Sequence, residues 1–284
     1  MSSFKPSGSV VVVTGAGGGI GRGIAAAFAR RGASVVVTDV EGEAAEQVAD
    51  ELRADGGSAR AAQVDVTDAR AVQSLADDVY AEEGRVDVLV NNAGVTMRPM
   101  RALWHGSEED FRWMMEVNYF GVVNGLRAFL PRMLEQTGRR HVVNTASTAA
   151  LNDVKGHSMY TGSKYALEGI SNVLRAELAD QGHDIGVTVV FPGAVATRIA
   201  TSERLRPETD RSSARTVTPW VSAVDAHLDQ SVADPGEVGE RVFQAVLADD
   251  RYCLTQPVPA RWQEQRLADL ADGFRDIPST ETAS

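Results

Sequence analysis

SVVVVTGAGGGIGRGIAAAFARR, residues Ser9 to Arg31, decides how the rest of the chain is read. Ser9 to Thr14 is β-branched and apolar at successive positions, the pattern of a parallel strand buried on both faces. It breaks into TGAGGGIG, Thr14 to Gly21, and then into an alanine-rich helix that runs to about Arg31. Strand, glycine turn and helix in that order make a dinucleotide-binding opening. The glycines let backbone N–H groups approach a pyrophosphate at a helix N-terminus, where the helix dipole favours anions. The spacing departs from the usual G-x-G-x-x-G. Counted from Gly15 and Gly17 the last position is Ile20, and the glycines fall at Gly15, Gly19 and Gly21. No G-K-[ST] ending follows, which argues against a nucleoside-triphosphate loop. A flexible tight turn would also use glycines, but the flanking strand and helix favour a phosphate cradle.

A second strand, Ser34 to Thr38, ends on Asp39, twenty residues after Gly19. A dinucleotide fold places there the acid that bonds the adenosine ribose hydroxyls. The same charge repels a 2′-phosphate, by about 4 kcal/mol before screening at ~4 Å and an effective dielectric near ~20. Gly18 precedes Gly19 and Val40 follows Asp39, so neither adjacent position supplies a compensating cation. The sequence therefore favours NAD over NADP. A strand-end aspartate can also cap the next helix, and both roles can hold at once.

The alternation continues through helix Glu41 to Asp55, strand Ala59 to Val64 with Asp65-Val66 after it, and helix Asp68 to Glu83. Strand Val86 to Val90 ends in NNAG, Asn91 to Gly94. A long helix from about Ser107 to Gln136 contains Asn118, and Pro131 is expected to kink it or split off its last turn. Strand His141 to Thr145 leads into Ser147, a helix from Tyr160 to about Gln181, and strand Gly186 to Phe191 with PGAVAT, Pro192 to Thr197, behind it. Residues 198–233 show no clean periodicity. A helix at Pro235 to Leu247, a short strand at Tyr252 to Thr255 and an amphipathic piece at Arg261 to Leu270 close the chain. Seven strands alternating with helices predict a doubly wound parallel sheet with helices on both faces. The expected organisation is a single Rossmann-type domain over 1–284, with a flexible terminus at 1–8, a substrate lid at 198–233 and a tail at 257–284.

With 284 residues, 43% hydrophobic and 24% charged, the chain is long enough for one large core. A net charge of −11 argues against nucleic acid or an anionic membrane as partner. The single cysteine, Cys253, excludes an intrachain disulfide and fits a reducing cytoplasm. MSSFKPSGSV lacks the apolar stretch of a signal peptide, and no apolar run approaches the ~18 residues of a membrane helix. A soluble cytoplasmic protein is expected. The five histidines, at 105, 141, 157, 183 and 227, lack ligand spacing, so no metal is expected; His157 is close enough to Tyr160 to line a pocket.

Lys164 follows Tyr160 by four residues, so the two share a helix face, and Ser147 stands thirteen residues before the tyrosine. A fixed ammonium beside a phenol favours the phenolate. Lowering a phenol pKa by about three units takes roughly 4 kcal/mol. One ammonium plus a second cation, such as an oxidised nicotinamide, is of that order. A tyrosine and a lysine one turn apart occur in many helices; their setting distinguishes this pair. Ligands of doubly wound sheets bind at the carboxyl ends of the strands. Gly15 to Gly21, Asp39, Asp65, Asn91 to Gly94, Ser147 and Pro192 to Thr197 all fall there.

As a set, TGAGGGIG, Asp65-Val66, NNAG, Asn118, Ser147, Tyr160-x-x-x-Lys164 and PGAVAT resemble the motifs of the short-chain dehydrogenase/reductase family, in its single-domain branch. The resemblance is dense over Ser9 to Thr197. It implies an oxidoreductase that interconverts a secondary alcohol and a ketone by hydride transfer with NAD. It implies catalytic roles for Asn118, Ser147, Tyr160 and Lys164. Tyr160 would give or take the proton, Lys164 would lower its pKa and hold the nicotinamide ribose, Ser147 would bond the substrate oxygen, and Asn118 would tie a water to Lys164. Cofactor contacts are implied at Gly15, Gly19, Ile20, Gly21, Asp39, Asp65, Val66, Asn91, Val195 and Thr197, beside Tyr160 and Lys164. A homodimer or homotetramer packed through the two long helices is implied as well.

More narrowly, NYFGVVNGLRAFLPRML, Asn118 to Leu134, and HVVNTASTAA, His141 to Ala150, resemble members acting on bulky or aryl secondary alcohols, including the Cα-dehydrogenases of lignin β-aryl ether breakdown. Met97, Met100, Trp104, Leu151, Val154, Met159, Ile199 and Trp220 are available as walls of a roomy apolar pocket. Arg98, Arg101 and Arg198 leave room for an anionic substrate instead. Two other readings remain. A 3-oxoacyl-carrier-protein reductase would usually take NADPH and need basic residues near the ribose. A non-catalytic nucleotide-sensing regulator would be expected to lose part of Ser147, Asn118, Tyr160 or Lys164, and all four are present.

Overall fold

The computed structural model describes residues 4–206 and 232–274. Its first half runs β1 (Val10–Thr14), α1 (Gly19–Ala29), β2 (Ser34–Asp39), α2 (Gly42–Ala54), β3 (Ser58–Gln63), α3 (Ala69–Glu83) and β4 (Val88–Asn91). The second half runs α4 (Glu108–Met115), α5 (Gly121–Glu135), β5 (Arg140–Thr145), α6 (Ser158–Asp180), β6 (Ile185–Phe191), α7 (Pro235–Ala248), β7 (Tyr252–Leu254) and α8 (Arg261–Phe274). The valine run makes β1 an interior strand of the sheet, buried at all five positions, where β-branched side chains pack well on a pleated surface.

The strands lie in the order β3-β2-β1-β4-β5-β6-β7, and every pairing is parallel. Winding runs one way from β1 to β3 and the other way from β4 onward, so the switch falls between β1 and β4. Such a reversal opens a crevice at the carboxyl edge. One face of the sheet is covered by α1, α2 and α7, with Ile24, Phe28, Leu52 and Phe243 in its core. The other is covered by α3, α5 and α6, with Leu75, Phe129 and Leu167.

α1 and α7 touch backbone to backbone. A Cβ at Gly23 would overlap the Pro235 carbonyl, and one at Gly239 would overlap the carbonyl of Gly23. This approach sets α7 beside α1, over β6 and β7, and completes the first face.

Two expectations change. The long helix is interrupted at a π turn, Glu116–Phe120, which contains Asn118, and not at Pro131, which lies inside α5 without ending it. A π turn inserts an extra residue into the helix, and such insertions cluster at functional sites. Here the Asn118 side chain is held by the loop after β4, and that bond outweighs regular helix geometry. Residues Arg198–Leu205 form 3-10 turns despite their lack of periodicity, and Val195 bridges to Ala233 as a parallel partner. The remainder of the expected lid (207–231, with Trp220 and His227), residues 1–3 and the end of the tail (275–284) lie outside the described residues. No described helix is long and apolar enough to cross a membrane.

Gly239→Val is expected to lower the unfolding free energy by about 1–3 kcal/mol or more, through overpacking against the Gly23 backbone. Chemical denaturation followed by circular dichroism measures it, and an unchanged midpoint would mean that α1 and α7 are not in register.

Candidate active site

The loops at the carboxyl ends of β1 to β6 enclose a cleft of about 290 Å³. Gly15 enters it with a φ of 62°, and a Cβ there would lie 2.7 Å from the Ala93 Cα, so glycine satisfies both the left-handed backbone and the close approach. Thr14 locks the two turns together. Its hydroxyl accepts from the N–H groups of Asn92 (2.9 Å) and Ala93 (3.1 Å), while Asn92 Nδ2 donates to the carbonyls of Thr14 (3.0 Å) and Gly15 (3.1 Å).

Gly19, Ile20, Asp39, Asp65, Val66, Val195 and Thr197, which the sequence nominates as cofactor contacts, line the cleft. Asp39 Oδ2 accepts from Gly17 N at 2.9 Å and its Oδ1 from Glu41 N at 3.0 Å, which fixes the end of β2 to the glycine turn. Asp65 Oδ1 accepts from the Thr67 N–H (2.9 Å) and hydroxyl (2.8 Å). Two expected contacts stand elsewhere. Gly21 packs against the Gly15 carbonyl and the Asn92 side chain. Asn91 is buried behind the cleft, its Nδ2 donating to Asn144 Oδ1 at 2.9 Å, and Asn92, Ala93, Gly94 and Val95 take the lining positions.

Ser147, Tyr160 and Lys164 meet in one corner of the cleft. The Ser147 side chain lies near enough to the Tyr160 phenol to oppose part of its burial-driven shift. Lys164 Nζ donates to the Thr145 carbonyl at 2.9 Å and lies 5.7 Å from the centre of the Tyr160 ring. Asn118 sits behind them, fully buried. Its Oδ1 accepts from Val95 N at 2.8 Å, and its Nδ2 donates to Val95 O and to Ser163 Oγ, both at 3.0 Å. Ser163 Oγ in turn donates to the Tyr160 carbonyl at 2.7 Å. Asn118 thereby fastens the loop after β4 to the first turn of α6.

Burial dominates the electrostatics of this corner. It raises the Tyr160 phenol above its usual 10, opposed by the Ser147 hydrogen bond and the charge of Arg98. It also pushes Lys164 down to about 7. The expectation that Lys164 depresses the phenol is not met within the protein alone, because desolvation disfavours both charged forms.

The Asp39 end of the cleft holds charges that adjacency in sequence did not reveal. Arg198 and Arg204 reach Glu41 at 3.0 and 2.7 Å, and all three line the cleft beside Asp39. The Arg204 hydrogen bond, then the charges of both arginines, hold the Glu41 carboxyl below its usual range against its desolvation. No local signal could have found partners 157 and 163 residues apart.

On the substrate side, Ile199 lines the cleft with Val95, Trp113 and Val117. Met97 and Met159 are buried beneath, in a cluster with Trp113 and Met114 that Val154 flanks. Trp104 is 72% exposed and Leu151 packs with another part of the core, so neither is a wall. Trp113 and Val117 were findable, since an i, i+4 pair shares a helix face. Arg101 is engaged: it pairs with buried Asp110 at 2.9 Å, which Arg206 also reaches at 2.7 Å.

The sequence over residues 9–208 matches the family model described as short chain dehydrogenase. A probable oxidoreductase of Mycobacterium tuberculosis, EphD, is 42% identical over 203 residues, 71% of this chain, although the match spans only about a third (34%) of that protein. The 1-deoxy-11-beta-hydroxypentalenate dehydrogenase of Streptomyces exfoliatus is 41% identical over 66% of this chain and 67% of its own. Among solved structures, a short-chain dehydrogenase/reductase from Burkholderia phymatum in complex with NAD superposes with a TM-score of 0.87 at 34% identity, covering 99% of this chain and 100% of that one. A metagenomic short-chain oxidoreductase in complex with NADP gives 0.70 at 30% identity over 89% and 99%.

The Lys164 shift carries a stability consequence with a definite sign. Its folded-state pKa of about 7 lies below its ordinary value of 10.5, so the unfolded chain binds the extra proton between those limits. The lysine therefore costs stability fully below about pH 7, and the cost fades as pH rises toward 10.5. The unfolding free energy of the native protein minus that of Lys164→Met should climb by roughly 1.4 kcal/mol per pH unit across this window. Paired denaturation curves at several pH values measure it; a flat difference would show that Lys164 keeps its proton as it does in water.

Proposed function

The chain belongs to the short-chain dehydrogenase family, and we propose that this oxidoreductase interconverts a bulky hydrophobic or aryl secondary alcohol and its ketone with NAD, using Tyr160 as the acid–base. The observation that carries the reading is the buried corner where Ser147, Tyr160 and Lys164 meet, in the same cleft as the glycine turn. A dinucleotide fits the residues present. Gly15 and Gly19 leave backbone N–H groups accessible at the start of α1, Asp39 faces the ribose end, and Val40, Val64 and Val66 offer apolar walls for a base. Asp65 would meet the base as well, and Val195 and Thr197 the carboxamide end. The nicotinamide supplies the hydride acceptor or donor when bound.

The rest falls to the chain's own groups. Ser147 holds the substrate oxygen by a hydrogen bond. Tyr160 takes the proton from that oxygen in oxidation and returns it in reduction. Lys164 holds the nicotinamide ribose and, as an ammonium, favours the phenolate. Asn118 keeps Gly94 and Val95 in place beside the lysine, where a Cβ on Gly94 would come within 3.4 Å of Nζ. Ile199, Trp113 and Val117 support an apolar substrate, and the engagement of Arg101 by Asp110 removes one cation that an anionic substrate would use. A cytoplasmic homodimer or homotetramer is the proposed form; exposed Phe120 of the π turn before α5 and exposed Val173 of α6 support packing between copies.

NADP is the second reading, favoured by Arg198 and Arg204 on the ribose-side wall. Asp39 weighs against it, and Glu41 already occupies both arginines. Kinetics with each cofactor should favour NAD by about tenfold or more, a conservative share of the charge repulsion at Asp39. Equal efficiency with NADP would sink the NAD assignment. Asp39→Ala should narrow the gap.

Tyr160→Phe should abolish nearly all turnover while NADH binding, followed by fluorescence, stays close to native. Retention of more than a few per cent of activity would remove Tyr160 from the acid–base role. A panel of aliphatic, aryl and steroidal secondary alcohols tests the pocket; turnover limited to 2-propanol or to acyl thioesters would overturn it.

A further inference from the structure

His157 stands at the N-terminus of α6, where a side chain would ordinarily cap the helix, yet it makes no capping hydrogen bond. Its imidazole instead lies flat on the Tyr160 ring, with centroids 4.5 Å apart and planes at 15°. The far edge of the ring is pinned, since Nε2 lies 2.7 Å from Thr96 Oγ1. Thr96 is itself buried, and its N–H donates to Ser202 Oγ at 3.3 Å. Ser202, also buried, belongs to the 3-10 segment that closes the substrate side of the cleft, and its hydroxyl donates to the Ile199 carbonyl. A line of contacts thus runs from the substrate-side segment to the face of the reacting phenol.

We propose that His157 is a positioning residue for Tyr160, and that Thr96 and Ser202 set its ring according to where the 198–205 segment lies. A phenol has two soft torsions, and a single hydrogen bond at its oxygen, of the kind Ser147 is placed to give, would fix the oxygen without fixing the ring plane. A parallel ring on one face removes that freedom, and the position of a reacting group within about an ångström decides its rate. Burial, aided by the nearby charge of Arg98, pushes His157 down to about 4, so the ring is neutral near pH 7 and stacks as an aromatic. A neutral imidazole also leaves the phenol's electrostatics to its burial, Ser147 and Arg98. Leu or Val would fill the space without fixing a plane; a flat side chain held at one edge does both.

The inference rests on Tyr160 as the proton-transfer group, and the test separates the two claims. With NAD and an alcohol that the panel above identifies as turned over, His157→Leu should lower kcat about tenfold or more while KM for NAD changes less than about twofold. His157→Phe, which keeps a flat ring against the phenol, should recover most of the loss. Thr96→Val should lower kcat by a smaller factor in the native background and by little in His157→Phe, since the two act through one ring. As a readout independent of turnover, the ring-carbon resonances of Tyr160 in protein labelled with [13C]tyrosine, assigned by their loss in Tyr160→Phe, should move on His157→Leu and move back in His157→Phe. Native kcat in His157→Leu, or a His157→Phe as impaired as His157→Leu, would overturn the inference. So would parallel losses in kcat, KM and melting temperature, the pattern of a residue that only packs. An active Tyr160→Phe would instead bring down the reading on which it rests.

Discussion

Lys164 is a cation taken out of water, and the geometry around it is what makes the rest of the site possible. Burial of an ammonium disfavours its charge, and here it brings the lysine to about 7. The Thr145 carbonyl at 2.9 Å offsets part of that cost, which requires β5 to end at that residue with its carbonyl facing α6. Gly94 leaves room in the same corner, since a Cβ there would stand 3.2 Å from Asn118 Oδ1 and 3.4 Å from Lys164 Nζ. The lysine then sits close enough to neutrality for a charge placed in the cleft to tip its protonation.

Polar side chains from distant elements hold the loops that carry the chemistry. Thr14 joins the turn after β1 to the turn after β4. Asp39 joins the end of β2 to the glycine turn. Asn118 matches the backbone of Val95 at both its N–H and its carbonyl, and the helix accommodates this with a π turn. Loops cannot bury an apolar face, so their backbone groups need such partners. The arrangement leaves little slack at the carboxyl edge of the sheet.

The substrate side uses charge for the same end. Asp110 of α4 receives Arg101 from the loop after β4 and Arg206 from the end of the 198–205 segment, with all three buried. Desolvation can cancel the Coulomb gain of such a cluster, yet it fixes where three separate segments meet. At the opposite end Glu41 gathers Arg198 and Arg204 from that same segment. These pairs are far less buried than the Asp110 cluster and individually weak.

The order of strands and helices, the glycine turn, Asp39, and the Tyr160–Lys164 spacing were legible in the sequence, because each is encoded by residues near one another. Periodicity gives burial on one face or two, and an i, i+4 interval gives a shared helix face. Asn91 and Asn92 were not separable that way, since adjacent residues on a strand end point to opposite sides and only packing against Asn144 and Thr14 decides which faces the cleft. The π turn escaped notice because its cause, Val95, lies 23 residues away, whereas Pro131 offered a plausible local cause in the wrong place. Tertiary structure alone brought Arg198 and Arg204 to Glu41 and laid His157 on Tyr160. It also buried the Tyr160 phenol, which raises its pKa in the protein alone, because sequence supplies the neighbouring charge but not the dielectric around it.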